Sequence, residues 1–113
     1  MSIILNYSGK QGALYEDYYL YCAGESRRID ICSIYYFEIK KRIITVHYGG
    51  GEQFRFYSTM ARVEEQLQGK GFLRVHQAYL IAEKFICERT KKTAVLTNQS
   101  VIPVGRSYQG KVW

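Results

Sequence analysis

The sequence predicts a mostly β protein of about ten short strands with one short helix, and two observations carry that prediction. Eleven Tyr and five Phe accompany many Ile and Val, with a single proline. Such β-branched and aromatic side chains suit a pleated, half-buried surface. Apolar and polar residues also alternate at period two along most of the chain, and only residues 59–68 show the three-and-four spacing of a helix.

Taken in order, Tyr18–Cys22 and residues 27–31 read as a hairpin around the turn-forming Ala23-Gly24-Glu25-Ser26. Residues 33–38 form the next strand. Residues 42–48 alternate, with Ile44, Val46 and Tyr48 on one face and Ile43, Thr45 and His47 on the other. The run Gly49-Gly50-Gly51 reverses the chain, and Phe54 and Phe56 then alternate with Gln53, Arg55 and Tyr57. Ser58 is placed to cap a helix over residues 59–68, with Met60, Val63 and Leu67 on its apolar face and Gly69 at its exit. Arg62, Glu64 and Glu65 are expected to face water. Strands resume at 73–75, Tyr79–Ala82, 85–89, 94–97 and 101–104, joined at Lys91-Lys92 and Asn98-Gln99-Ser100.

At 113 residues the chain has the size of one domain with a single modest core. Hydrophobic residues at 47% and charged residues at 23% indicate a folded protein and not a disordered tail. No apolar run is long enough for a membrane helix, and the first residues lack signal-peptide character, which predicts a cytoplasmic protein with no membrane partner. Cys22, Cys32 and Cys87 have no paired spacing for zinc or a dithiol, and each lies in an apolar stretch where a free, packed thiol is expected.

The net charge is +6 and the isoelectric point about 9.3. The excess is uneven. Residues 1–25 hold one base and three acids, leaving fifteen bases and seven acids in residues 26–113. That imbalance suits a polyanionic partner such as DNA without requiring one. No adjacent helix pair, zinc-finger spacing or basic heptad helix is present, so any reading of DNA falls to loops or strand ends. Hydrolase elbows, P-loops and dinucleotide fingerprints are likewise missing, and His47 and His76 stand in no metal-ligand spacing. The expectation is therefore no catalysis, no cofactor, no metal and no small-molecule substrate.

The most informative stretch is Phe72-Leu73-Arg74-Val75-His76-Gln77-Ala78-Tyr79-Leu80-Ile81-Ala82. It resembles the F-x-R-x-H-x-S-Y-L-V-N motif of LytTR domains, which follows a short helix. Ile34-Tyr35-Tyr36-Phe37-Glu38, Phe56-Tyr57-Ser58 and Ile102-Pro103-Val104-Gly105-Arg106-Ser107-Tyr108 resemble further family segments in the same order. The resemblance spans about residues 14–110. It implies stacked antiparallel sheets and the DNA-binding output domain of a bacterial response regulator. Such domains insert loops into successive major grooves and read imperfect direct repeats in promoters, usually as two protomers. There is no room in the chain for a receiver domain. The sequence departs from the family at Ala78 and Gly105, where the family carries serine, and at Ala82, where it carries asparagine.

By this resemblance, DNA contact is expected at three places: Lys40-Lys41-Arg42, His76-Gln77 and Arg106. As residues alone, the basic run is a solvated turn, His76 a structural ring and Arg106 a surface ion-pair partner. As a DNA face, the basic run suits phosphates, with Arg42 in reach of guanine. Glutamine pairs with adenine N6 and N7, which makes Gln77 the expected base reader with His76 beside it. Gly105 is expected to let the backbone turn freely and present Arg106. Arg74 and Lys84 are phosphate candidates of lower rank, Lys91-Lys92 a plain turn, and Tyr79 and Tyr108 packing residues. Two rival classes fit a basic β domain: a single-strand binder that stacks bases on aromatics, and a protein-interaction module.

Overall fold

A computed structural model describes residues 3–7, 18–22 and 28–113 of the chain. Among these residues eleven strands form three antiparallel sheets. The first sheet holds β1 (Ile3–Tyr7), β2 (Tyr18–Cys22) and β3 (Arg28–Asp30). The central sheet has five strands: β4 (Ile34–Lys40), β5 (Ile43–Tyr48), β6 (Glu52–Tyr57), β7 (Phe72–His76) and β8 (Tyr79–Ala82). Their order is β6-β5-β4-β8-β7, so the hairpin of β7 and β8 is laid beside the first strand of a meander. The third sheet holds β9 (Ile86–Arg89), β10 (Thr93–Leu96) and β11 (Val101–Pro103), with β10 in the middle. One helix, α1 (Met60–Gln66), links β6 to β7.

The alternation read from the sequence places apolar residues on both faces of the central sheet. Phe37, Ile44, Val46, Phe56 and Leu80 pack with Met60, Val63 and Leu67 of the helix segment and with Leu20 and Ile29 of the first sheet. On the opposite face, Val75 and Ile81 pack with Ala94, Leu96 and Ile102 of the third sheet and with Val104 just beyond it. The result is three layers around a sheet that is covered on both sides. Two cores of this kind fix the register, because a one-residue slip in any central strand would exchange its two faces.

Several local expectations change. Thr59, not Ser58, caps the helix: its backbone is extended and its Oγ1 accepts the amide of Arg62 at 3.1 Å, the third helical position. The helix ends at Gln66, with Leu67 as its cap and Gly69 beyond at a φ of 80°. Ile31 leaves the strand for a 3-10 turn over Ile31–Ser33, drawn in by the Asp30 carboxylate accepting from the Cys32 amide at 2.9 Å. A second such turn, Glu83–Phe85, shortens the strand expected over 85–89. β1 has no counterpart in the sequence reading. Cys32 and Cys87 are exposed, not packed: one lies on the 3-10 turn, the other on an outward position of an outer strand. The predicted turn 23–26 and the side chain of Cys22 lie outside the described residues. Among the described residues, no helix is long and apolar enough to cross a membrane.

Candidate nucleic-acid interface

Antiparallel pairing decides which turns share an end of the sheet. Lys40 pairs with Ile43, so Lys41 and Arg42 form the two-residue tip joining β4 and β5. His76 pairs with Tyr79, so Gln77 and Ala78 form the equivalent tip joining β7 and β8. β4 and β8 are themselves paired, with Glu38 opposite Tyr79, and the Ile39 amide donates to the Ala78 carbonyl at 3.0 Å. Both tips therefore leave the same end of the central sheet, next to each other.

The third segment joins them by a separate route. Beyond β11, the Gly105 amide donates to the Val75 carbonyl at 2.7 Å, which docks the chain against β7. Arg106 follows at once, opening a 3-10 turn over Arg106–Tyr108. The backbone at Gly105 has φ −62° and ψ 149°, which any residue adopts, so conformational freedom is not why glycine stands here. Space is tight instead. A Cβ would lie 3.1 Å from the Tyr108 ring, 3.3 Å from the His76 ring and 3.4 Å from the His76 backbone. Glycine lets the closing segment lie close against His76, and Arg106 follows directly.

Lys40, Lys41, Arg42, Gln77 and Arg106 are all exposed. Among the described residues, no ion pair holds any of the four cations. Lys41 sits at a φ of 55°, a left-handed conformation that costs a lysine about 1–2 kcal/mol. Ser58 donates its amide to the Arg42 carbonyl at 3.4 Å, and Arg42, Tyr57, Ser58, Thr59 and Arg62 line a shallow groove beside the tip. Arg62, read from the sequence as a water-facing helix residue, thus adds a cation next to Arg42.

His76 is half-buried, edge-on to Tyr79 with ring centres 5.3 Å apart. Its Nδ1 accepts the Ala78 amide at 3.0 Å. In the neutral ring the proton therefore lies on Nε2, leaving a donor for a phosphate or base acceptor. Arg74 is turned inward: Nε donates to the His76 carbonyl at 2.9 Å, one terminal nitrogen to the Gln77 carbonyl at 2.8 Å, and the other to Glu64 at 2.8 Å. Read from the sequence as a phosphate contact of lower rank, it ties the turn to α1 in the structure. Nothing in the local sequence signals this, because its anchor lies ten residues earlier. Lys84 sits on the 3-10 turn beyond the far end of β8, its ammonium 5.1 Å from the Phe85 ring centre. The fold does not bring it to the other candidates.

Behind the tips, Glu38 accepts a hydrogen bond from His47, and His47 stacks on Tyr36 with ring centres 4.2 Å apart. Burial, reinforced by the Glu38 carboxylate, pushes the Tyr36 and Tyr79 phenols above their ordinary range. Both therefore stay neutral packing groups at physiological pH. Among the described residues, no group of three or more His, Cys, Asp or Glu side chains is arranged to hold a metal ion.

Comparison with known proteins gives a consistent answer. The family model of the LytTr DNA-binding domain matches residues 24–112. Among solved structures, the chain is similar to the LytTr DNA-binding domain of a protein from Bacillus cereus described as a methyl-accepting/DNA response regulator. The TM-score is 0.66 at 16% identity, over 96% of this chain and 90% of that one, so the two share a fold. No curated protein matches the chain significantly.

Proposed function

Because the chain belongs to the LytTr DNA-binding domain family, we propose that it is the sequence-specific output domain of a bacterial transcriptional regulator in a two-component system. In this reading it is one domain acting in the cytoplasm, and it reads direct repeats in promoter DNA through loops in the major groove. Two protomers would occupy the two repeats. The observation that supports it best is the convergence of three segments far apart in the chain, Lys40-Lys41-Arg42, His76-Gln77 and Arg106, on one end of the central sheet.

The roles divide by chemistry. Lys40, Lys41 and Arg42 are exposed charges suited to phosphate oxygens, which carry no sequence information. Gln77 is a planar amide on a braced turn, suited to adenine N6 and N7, and Arg106, next to the docked Gly105, suits guanine O6 and N7. His76 offers its Nε2 proton to the same groove. No residue in this arrangement is asked to do covalent chemistry.

The test is selection of bound duplexes from a random-sequence library, with binding followed across a salt series. The expected result is a directly repeated motif, bound with a steep fall of log affinity against log salt. Salt-sensitive binding without enrichment would leave only a non-specific nucleic-acid binder. Preference for single strands would favour base stacking on exposed aromatics instead.

A further inference from the structure

We infer that Arg74 is a positioning residue for base discrimination, holding the Gln77 turn through bonds that helix α1 anchors. The inference rests on the proposed reading of Gln77 as a base-contacting residue and adds to it a determinant that touches no DNA.

The argument starts from the donors. A guanidinium carries its N–H groups in one rigid plane, and Arg74 directs three nitrogens at three different acceptors. Two of those acceptors are consecutive carbonyls, those of His76 and Gln77, so the backbone entering the tip is held at two adjacent peptide planes. The third is the Glu64 carboxylate on α1, which fixes the plane of the guanidinium itself. The Arg74 side chain is only 19% exposed and Glu64 48%, so the clamp sits at the edge of the core with its anchor on the surface. β7 is irregular between Arg74 and His76, a break that re-aims the side chains beyond it and leaves the tip in need of support. His76 Nδ1 and Gly105 brace the other side.

Discrimination between bases depends on direction. A glutamine that reads adenine must present an acceptor and a donor together, and a small rotation of its peptide plane loses both. A phosphate contact lacks that sensitivity, because a charge acts at a distance and from many angles. The clamp therefore governs specificity more than affinity.

This reading and a plain charge reading separate at Glu64, where charge alone leaves the ratio of specific to non-specific binding unchanged. Removing its carboxylate makes the protein more positive, which by charge alone strengthens binding to every duplex. The clamp reading predicts instead that Glu64→Ala lowers the ratio of specific to non-specific binding. Arg74→Lys separates the two again: the charge stays, but one ammonium cannot replace a planar fork with three acceptors.

The experiment uses the full chain and a duplex selected by it, together with single-base variants of that duplex. Affinities are measured for wild type, Arg74→Lys, Glu64→Ala and Gln77→Ala across a salt series, with thermal melts to show that each variant is folded. The expected outcome is a loss of about fivefold to tenfold in discrimination at the base pair that Gln77→Ala also affects, with the salt slope unchanged for Arg74→Lys. Glu64 lies on the surface, so its variant reports even if Arg74→Lys fails to fold. Full discrimination in Arg74→Lys, or in Glu64→Ala when Arg74→Lys is unfolded, overturns the inference while leaving the Gln77 reading intact if Gln77→Ala loses it. No discrimination by the wild type overturns the reading and the inference together.

Discussion

Two tips leave the same end of one sheet, each two residues long, and they are built in opposite ways. The tip between β4 and β5 carries Lys41 and Arg42, with Lys40 just before it. Beyond the ladder, the bond holding it is a long one, from the Ser58 amide to the Arg42 carbonyl at 3.4 Å. The tip between β7 and β8 carries Gln77 and Ala78, and three devices fix it: the Arg74 clamp, the His76 Nδ1 bond and the Gly105 backbone pressed against His76. Under the proposed function, the difference shows how one face would separate its tasks. Charge without bracing is enough to neutralise phosphates, whereas direction must be built in where a base edge is to be read.

Neutralising the loose tip should break the comparison most visibly. Each phosphate contact contributes about 0.9 to the slope of log affinity against log salt, so the variant Lys40→Ala, Lys41→Ala, Arg42→Ala should lower that slope by about 2 to 3. Carried from molar to physiological salt, that slope corresponds to a loss of roughly a hundredfold in affinity. All sequences should weaken alike. A loss confined to the selected motif would assign base reading to the loose tip and collapse the distinction.

The braced tip should answer with a smaller and different change. Gln77→Ala is expected to relax preference at one base pair by about 1–3 kcal/mol, with the salt slope unchanged. Competition between the selected duplex and its single-base variants measures this directly. A uniform loss across all variants would make Gln77 one more backbone contact.

Much of this face was legible in the sequence, and the limits have physical causes. The strands were visible because their apolar residues alternate, and Lys40-Lys41-Arg42 was placed in a turn because residues 42–48 begin a new alternation there. That the two tips adjoin was not legible from periodicity, since it depends on β8 pairing with β4 across more than thirty intervening residues. The bonds of Arg74 are hidden for a similar reason: its partner Glu64 lies on the helix, and a sequence shows a charge without showing what it faces. At Gly105 the sequence suggests backbone freedom, whereas the structure shows an ordinary φ and tight space against His76 and Tyr108, which is a tertiary fact and not a local one. Ser58 and Thr59 are chemically similar caps one position apart, and only backbone geometry separates them.

Strain sharpens the comparison further. Lys41 occupies a left-handed conformation that glycine adopts freely, so Lys41→Gly should relieve strain. After the larger unfolded-state entropy of glycine is subtracted, a gain in stability of up to about 1 kcal/mol is expected, measurable by denaturant melts. The same substitution should lower the salt slope by about 0.9. A gain in stability coupled to a loss in binding means that charge is kept at the tip against the preference of the backbone. A loss in stability would show instead that the lysine side chain supports the turn.

The smallest effect is expected at Lys84, and it marks where the face ends. Lys84 and Lys41 are both exposed cations, and composition does not distinguish them. The fold does, because β8 separates Lys84 from the Gln77 tip by its full length, roughly 13 Å at the rise of an extended chain. Lys84→Ala should therefore leave the salt slope unchanged within error, against a fall of about 0.9 for Lys41→Ala. Its cost should be to stability, about 0.5 kcal/mol for the lost contact with the Phe85 ring. If Lys84→Ala instead lowers the slope as much as Lys41→Ala does, the duplex contacts both ends of β8. The contrast between a loose and a braced tip would then describe only part of a wider interface.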